Sequence, residues 1–402
     1  GRDRVRGRRR TPVRSRPLKP LSHPLRPAPE RRPGPGDGLP DRGCVKARAR
    51  DAQRGGVGGA REWIVSSGTS IEDGRVFFLG AGFSASAGVP LTDSLLPKTL
   101  DLFRDECPGL YERISGYAQD VDLNSTAHLS AEDFSSFSTY LDFVELREYG
   151  GSERWSAEGS RERLAIKFFL AKTIALHTPL PDQTPDFYKD FCLDLTPNDI
   201  VVSFSWDTLI ESTLGSLGVR YSYSFEDDAV AIAKLHGSIN WIHGPPRMGG
   251  QPCVSDYEPI GAGGYLGDLE AYSSRDLVFS GAWKEKRPLV GPTKPLIVLP
   301  GYGKAVDTRI LAPLWYRPEF LAIRRGGVSV IGLGISDDDY LLSSLFRFLF
   351  RSAFPDEVPT VIINPNEHAQ TRFAHLSGDQ TSLRHEYIRF DESALRVALH
   401  KN

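Results

Sequence analysis

The chain is poor in sulfur. Its 402 residues hold four cysteines and a single methionine, Met248. Cys44, Cys107, Cys192 and Cys253 lie far apart and form no Cys-x-x-Cys pair, so a disulfide framework and a zinc ribbon are both unsupported. No metal is therefore expected. No apolar run reaches the ~18 residues needed to cross a bilayer, so no membrane partner is expected either. Sparse, scattered cysteines point to a reducing compartment, most simply the cytoplasm. The sequence also lacks a Walker Gly-Lys-Ser/Thr loop and a clean G-x-G-x-x-G.

A formal net charge of −2 conceals an asymmetry. Residues 1–60 carry 17 Lys and Arg against five acidic residues, which leaves 32 against 46 in the remainder. The opening "GRDRVRGRRRTPVRSRPLKPLSHPLRPAPERRPGPGDGLP" is rich in Arg, Pro and Gly and has no hydrophobic period. Such a segment cannot bury enough apolar surface to offset its conformational entropy, so residues 1–64 are expected to be disordered. A basic arm for nucleic acid and an organelle-targeting segment are two functional readings. Little Ser or Ala and no amphipathic stripe count against targeting, and nucleic acid is not the favoured partner. A third reading is that the segment is foreign to the native protein, with translation starting at Val65 through an alternative codon.

From residue 75 onward, short β-branched apolar runs alternate with helical patterns. The runs are "RVFFLG" (75–80), "DIVVSFS" (199–205), "PLIVLP" (295–300), "VSVIGLG" (328–334) and "TVIINP" (360–365). Each is continuous rather than alternating, which suits strands of a parallel sheet covered on both faces. Helical patterns such as "SLLPKTLDLFRDE", "TLIESTLGSLG" and "DDYLLSSLFRFLFRSA" follow three of them. The expectation is an α/β, Rossmann-like, doubly wound sheet over residues 65–402. A helical lobe is expected to be inserted at about 91–195, and a smaller irregular insertion at about 242–292.

"RVFFLGAGFSASAGVPLTDSLL" (75–96) runs a buried strand into a string of small residues. Gly80, Ala81 and Gly82 let the chain turn tightly, and Ser84 to Gly88 let backbone amides at a helix start approach an anion. Packing alone also produces such turns. "SFSWD" places Ser205 and Asp207 at the carboxyl edge of the second strand, with Asp207 also suited to capping the next helix. "AKLHGSINW" adds His236, a residue more often structural than catalytic, unless it shares a crevice with the other turns.

In this order and spacing the glycine turn, the Ser-x-Asp element, Lys-Leu-His-Gly, "VIGLGISDDD" and "VIINP" resemble the sirtuin-like fold. The similarity is to the bacterial branch whose domains cleave NAD, often in antiphage defence. It extends from about residue 75 to 370. The resemblance implies that Gly80, Ala81, Gly82 and Ser84 cradle the NAD diphosphate, with Gly88 and Pro90 shaping the loop. It implies that His236 faces the nicotinamide ribose as base or orienting group and that Asp207 holds the nicotinamide-side pocket. Gly332 and Gly334 would line the crevice, and Asn364 would reach the adenosine ribose. NAD would be substrate rather than resident cofactor. A base with a pKa near neutrality and a rigidly held diphosphate suit cleavage through an oxocarbenium-like ribosyl cation.

Two positions depart from the family. Ser205 stands where the family has Asn, which shortens the reach and loses the planar amide. Gly334 stands where the family has a small hydroxyl residue. The first change leaves a non-catalytic NAD- or ADP-ribose-binding sensor or scaffold as the alternative to an NAD+ glycohydrolase. Deacetylation is disfavoured because the four-cysteine zinc module of deacetylase sirtuins is missing. The family often fuses this domain to a sensor. Only "YIRFDESALRVALH" remains after residue 370, so regulation is expected from a separate partner protein or homo-oligomerisation.

Overall fold

The computed structural model describes residues 74–121, 130–148, 161–243, 257–259, 269–272, 295–301, 304, 308, 311–315, 326–337, 339–353, 358–378 and 383–401. The chain divides into Gly1–Ser66 and Ser67–Asn402, and the described residues all belong to the second unit. The basic segment 1–64 and most of the 242–292 insertion thus lie outside them.

Strand β1 (Val76–Leu79) enters a one-turn helix, α1 (Ala81–Ala85). Helices α2 (Thr92–Glu106), α3 (Pro108–Asp120), α4 (Ala131–Glu148), α5 (Arg161–His177) and α6 (Asp186–Asp194) follow. Next come β2 (Ile200–Ser203), α7 (Leu209–Ser216), β3 (Tyr221–Ser222), β4 (Val230–Lys234), β5 (Gly237–His243), β6 (Tyr257–Pro259), β7 (Leu269–Tyr272) and β8 (Pro295–Ile297). The last elements are α8 (Ala312–Trp315), β9 (Val328–Ile331), α9 (Tyr340–Phe348), β10 (Thr360–Ile363), α10 (Glu367–Ser377), β11 (Leu383–Glu386) and α11 (Glu392–Ala398).

Seven strands form one parallel sheet, ordered β11-β10-β9-β1-β2-β4-β3, with helices on its flanks. This is the expected α/β, Rossmann-like, doubly wound architecture. Strands β1, β2, β9 and β10 are buried along their whole length, which is why their sequences read as unbroken apolar runs. The chain works outward from β1 through β2 and β4, then returns to lay β9 on the other side of β1. That reversal marks the place where open α/β sheets leave a crevice at their carboxyl ends.

Helices α2 to α6 fall between β1 and β2. Helices α2 to α5 share an aromatic core built on Phe103, Phe134, Phe137, Phe168 and Phe169, whereas α6 joins the core of the large sheet through Tyr188 and Phe191.

One strand expectation is corrected. "PLIVLP" is not part of the parallel sheet. Its β8 residues pair antiparallel with β5, in a four-stranded sheet ordered β6-β7-β5-β8. Leu296 and Val298 pack into the large-sheet core, while Ile297 and Leu299 face the helical core. Burial on both faces therefore has a second origin here, a strand wedged between two cores, and the apolar run reports burial rather than sheet membership. The insertion read as irregular likewise holds two short strands, β6 and β7, among its described residues. Strand β4, "VAIAK", escaped notice because alternate alanines weaken the β signal.

At the switch point the glycine turn after β1 meets the turn after β9, backbone to backbone. The Gly80 amide donates to the Ile331 carbonyl (2.9 Å) and the Gly82 amide to the Gly332 carbonyl (2.8 Å). A Cβ on Gly82 would sit 2.7 Å from the Gly332 oxygen, and one on Gly332 would run into the Gly82 carbonyl carbon. Gly332 also holds a φ of +61°, which L side chains rarely adopt. Gly332→Ala is therefore expected to cost about 2–4 kcal/mol in chemical denaturation, combining strain with overpacking. Gly334 is exposed, and a Cβ there would meet nothing within 4 Å, so Gly334→Ala is expected to stay within about 0.5 kcal/mol of the parent.

Candidate functional site

The loops after β2 and β4 are extensions of the sheet ladder. The Phe204 amide donates to the Leu79 carbonyl (2.8 Å) and the Leu235 amide to the Ser203 carbonyl (3.0 Å). Residues 204–208 thus begin in a fixed register with β1, and His236 begins in register with β2.

The 205–208 segment is then pinned from three directions. Ser205 Oγ donates to Asp207 Oδ2, and Asp207 Oδ1 accepts the Leu209 amide (3.0 Å) at the start of α7. The capping role of Asp207 and its place in the site coexist, each using one carboxylate oxygen. The Trp206 carbonyl accepts the Ile239 amide (3.0 Å) and Ser238 Oγ (3.3 Å) from β5. Lys234 Nζ donates to the Asp207 carbonyl.

Lys234 is buried, and its charge is met by Glu211 at 3.1 Å, which also accepts the Tyr223 hydroxyl (3.1 Å). Two buried ions have a high desolvation cost, so this pair is better understood as fixing the loop above it than as a source of stability. Lys234 and Glu211 were not singled out from sequence. A lysine ending an apolar strand and a glutamate in an apolar helix are the signals that mark them.

His236 occupies the turn joining β4 to β5, and hence joining the two sheets. Its carbonyl accepts the Val298 amide of the chain leaving β8 (2.9 Å). Gly237 follows with φ of +77°, and a Cβ there would collide with the Leu296 carbonyl. The imidazole lies edge-on to Phe204 with centroids 5.2 Å apart. Burial, reinforced by the positive charge of Lys304, drives its pKa well below the usual value, against a hydrogen bond that the ring donates to the Phe204 backbone. The ring is neutral at pH 7. Its Nε2 is buried and has no hydrogen-bond partner. With the other nitrogen donating, Nε2 presents a lone pair.

These groups border a cavity of about 170 Å3 at the carboxyl edge of the large sheet. Ala81, Ser205, Asp207 and His236 line it, together with Trp206, whose indole N–H is buried and unpartnered. Lys304 and Asp339 form an ion pair in the same lining, a second feature absent from the sequence reading. Nothing in the spacing of "GYGK" and "SDDD" links these two residues before the chain is folded.

The remaining expected site residues sit elsewhere. Gly80, Gly82 and Gly332 form the backbone contact described above, so the amides of Gly80 and Gly82 are already committed to β9 carbonyls. Ser84 faces a separate inner cavity of about 10 Å3, shared with Ser203, Ser205, Asp207 and Glu211. Gly88 supplies a left-handed turn (φ +91°). Gly334 is exposed. Asn364 is buried with its amide donating to the Leu333 carbonyl (2.9 Å) and its oxygen accepting the Asn366 amide (2.9 Å). It braces the turn behind the cavity instead of lining it.

Among the described residues no group of three His, Cys, Asp or Glu is placed to hold a metal ion, and no helix is long and apolar enough to cross a membrane. Comparison with known proteins finds no matching family model and no significantly similar curated sequence.

The burial of His236 has a measurable consequence. The folded protein favours the neutral ring, whereas the unfolded chain takes up a proton near the ordinary pKa of about 6.5. Stability from this residue is therefore complete above that pH and is lost as pH falls below it. In urea unfolding at pH 7.5, 6.5 and 5.5, His236→Gln is expected to gain on the parent as pH falls, by up to about 1.4 kcal/mol per pH unit. A constant difference across that range would show that the imidazole titrates normally in the fold.

Proposed function

We propose that the chain is an NAD+ glycohydrolase that cleaves the nicotinamide–ribose bond to give nicotinamide, ADP-ribose and a proton. The observation that carries this reading is a cavity at the carboxyl edge of a doubly wound sheet, lined by Ser205, Asp207 and His236 on the loops that follow β2 and β4. The sirtuin-like order of motifs supplies the substrate class.

In this reaction the glycosidic bond breaks toward nicotinamide, and water adds to the anomeric carbon of the ribosyl cation. His236 accepts the proton from that water, or from a ribose hydroxyl that it orients. Ser205 has given its only hydroxyl proton to Asp207, so what it offers a ligand is an acceptor oxygen. That suits holding a ribose hydroxyl or the attacking water, and it leaves Asp207 fixed at the nicotinamide side. At about 170 Å3 the cavity is smaller than the ~300–1,000 Å3 usual for ligand sites, so a dinucleotide would extend beyond it. A role in antiphage defence, in the cytoplasm, with a separate regulatory partner or self-assembly, belongs to the same proposal.

The commitment of the Ser205 proton also favours a second reading, a module that binds NAD or ADP-ribose without turning it over. One experiment separates the two. Nicotinamide release from NAD+ is measured for the parent, His236→Ala and Ser205→Asn. A glycohydrolase is expected to lose about 10²–10⁴ in rate with His236→Ala and to gain about tenfold or more with Ser205→Asn. NAD binding without release in the parent, restored to turnover by Ser205→Asn, would support the binding module. Neither binding nor release in any variant would remove both readings.

A further inference from the structure

The glycine turn expected to hold phosphate has spent its Gly80 and Gly82 amides on the β9 carbonyls. A phosphorylated ligand in this cavity needs another positive group. Lys304 is the only cationic side chain among the described residues lining the cavity. It is mostly buried, with 14% of its side chain exposed, and its backbone is fixed by a hydrogen bond to the Gly301 carbonyl (3.1 Å). Its Nζ pairs with Asp339, whose other oxygen accepts the Leu342 amide (3.1 Å) and so caps α9. Asp339 is therefore anchored by its helix, while Lys304 reaches it on a four-carbon stem with rotatable donors.

The cavity thus has a cation held by a carboxylate in the same lining as Ser205, Asp207 and His236. We infer that Lys304 is the anion-binding group of this cavity. It takes a phosphate oxygen of a phosphorylated nucleoside, with Asp339 as the internal carboxylate that this phosphate must displace or share. A phosphate meets Lys304, and the attached sugar meets the polar residues Ser205 and Asp207 of the same lining. Asp339 then limits affinity, because any anion competes with a charge already in place. The assignment of that ligand to a dinucleotide rests on the function proposed above; the anion site does not.

Calorimetric titration of the full chain with sodium pyrophosphate and, separately, with ADP-ribose tests the inference. Both are expected to bind the parent, to weaken about tenfold or more in Lys304→Met, and to recover in Lys304→Arg. Asp339→Asn keeps an amide oxygen for the α9 cap and is expected to tighten both ligands by about tenfold. Should Lys304→Met fail to fold, the direction of the Asp339→Asn change decides alone. Unchanged affinity in Lys304→Met, unchanged or weaker affinity in Asp339→Asn, or no binding of either ligand to the parent would overturn the inference. Lys304-dependent binding of pyrophosphate without binding of ADP-ribose would uphold the anion site and remove the dinucleotide.

Discussion

The contact on which the site depends is between two stretches of backbone. The turns leaving β1 and β9 approach so closely that neither Gly82 nor Gly332 can carry a side chain, and two amide-to-carbonyl bonds fasten them. This closes the switch point of the sheet on one side and sets the height of α1. The cavity consequently lies displaced toward β2 and β4, where the strand ends carry Ser205, Asp207 and His236. Small residues at a strand-to-helix turn serve ligand approach in many α/β proteins. In this chain the approaching group is the protein's own main chain.

Around that contact polar groups are arranged by rank. The 205–208 loop is held by the ladder at its start, by β5 through the Trp206 carbonyl, and by the buried Lys234–Glu211 pair through the Asp207 carbonyl. His236 is held by both sheets at once. These restraints fix the backbone of the residues that line the cavity, Ser205, Trp206, Asp207 and His236.

Much of the fold was legible, because four strands of the large sheet are buried on both faces and advertise it in unbroken runs such as "VFFL" and "TVII". The exceptions have physical causes. Strand β4 is built on alanine, and β8 is buried by a different pair of cores than the run alone implies. Of the candidate site, Ser205, Asp207 and His236 were readable because each follows a strand at the sheet's carboxyl edge. Lys304 and Asp339 were not, since their pairing across 35 positions is created by the fold. Asn364 and the glycines were read as ligand contacts although their hydrogen-bonding groups are taken up internally, a distinction that only coordinates can make.

The junction between the sheets has one more consequence. Among the described residues β6 pairs with β7, and β7 pairs with β5 at Trp241 to His243, several residues beyond the imidazole. The root of this smaller sheet is clamped by the Trp206 and His236 carbonyls. Force applied along β7 is therefore passed through β5 to the turn that carries the imidazole.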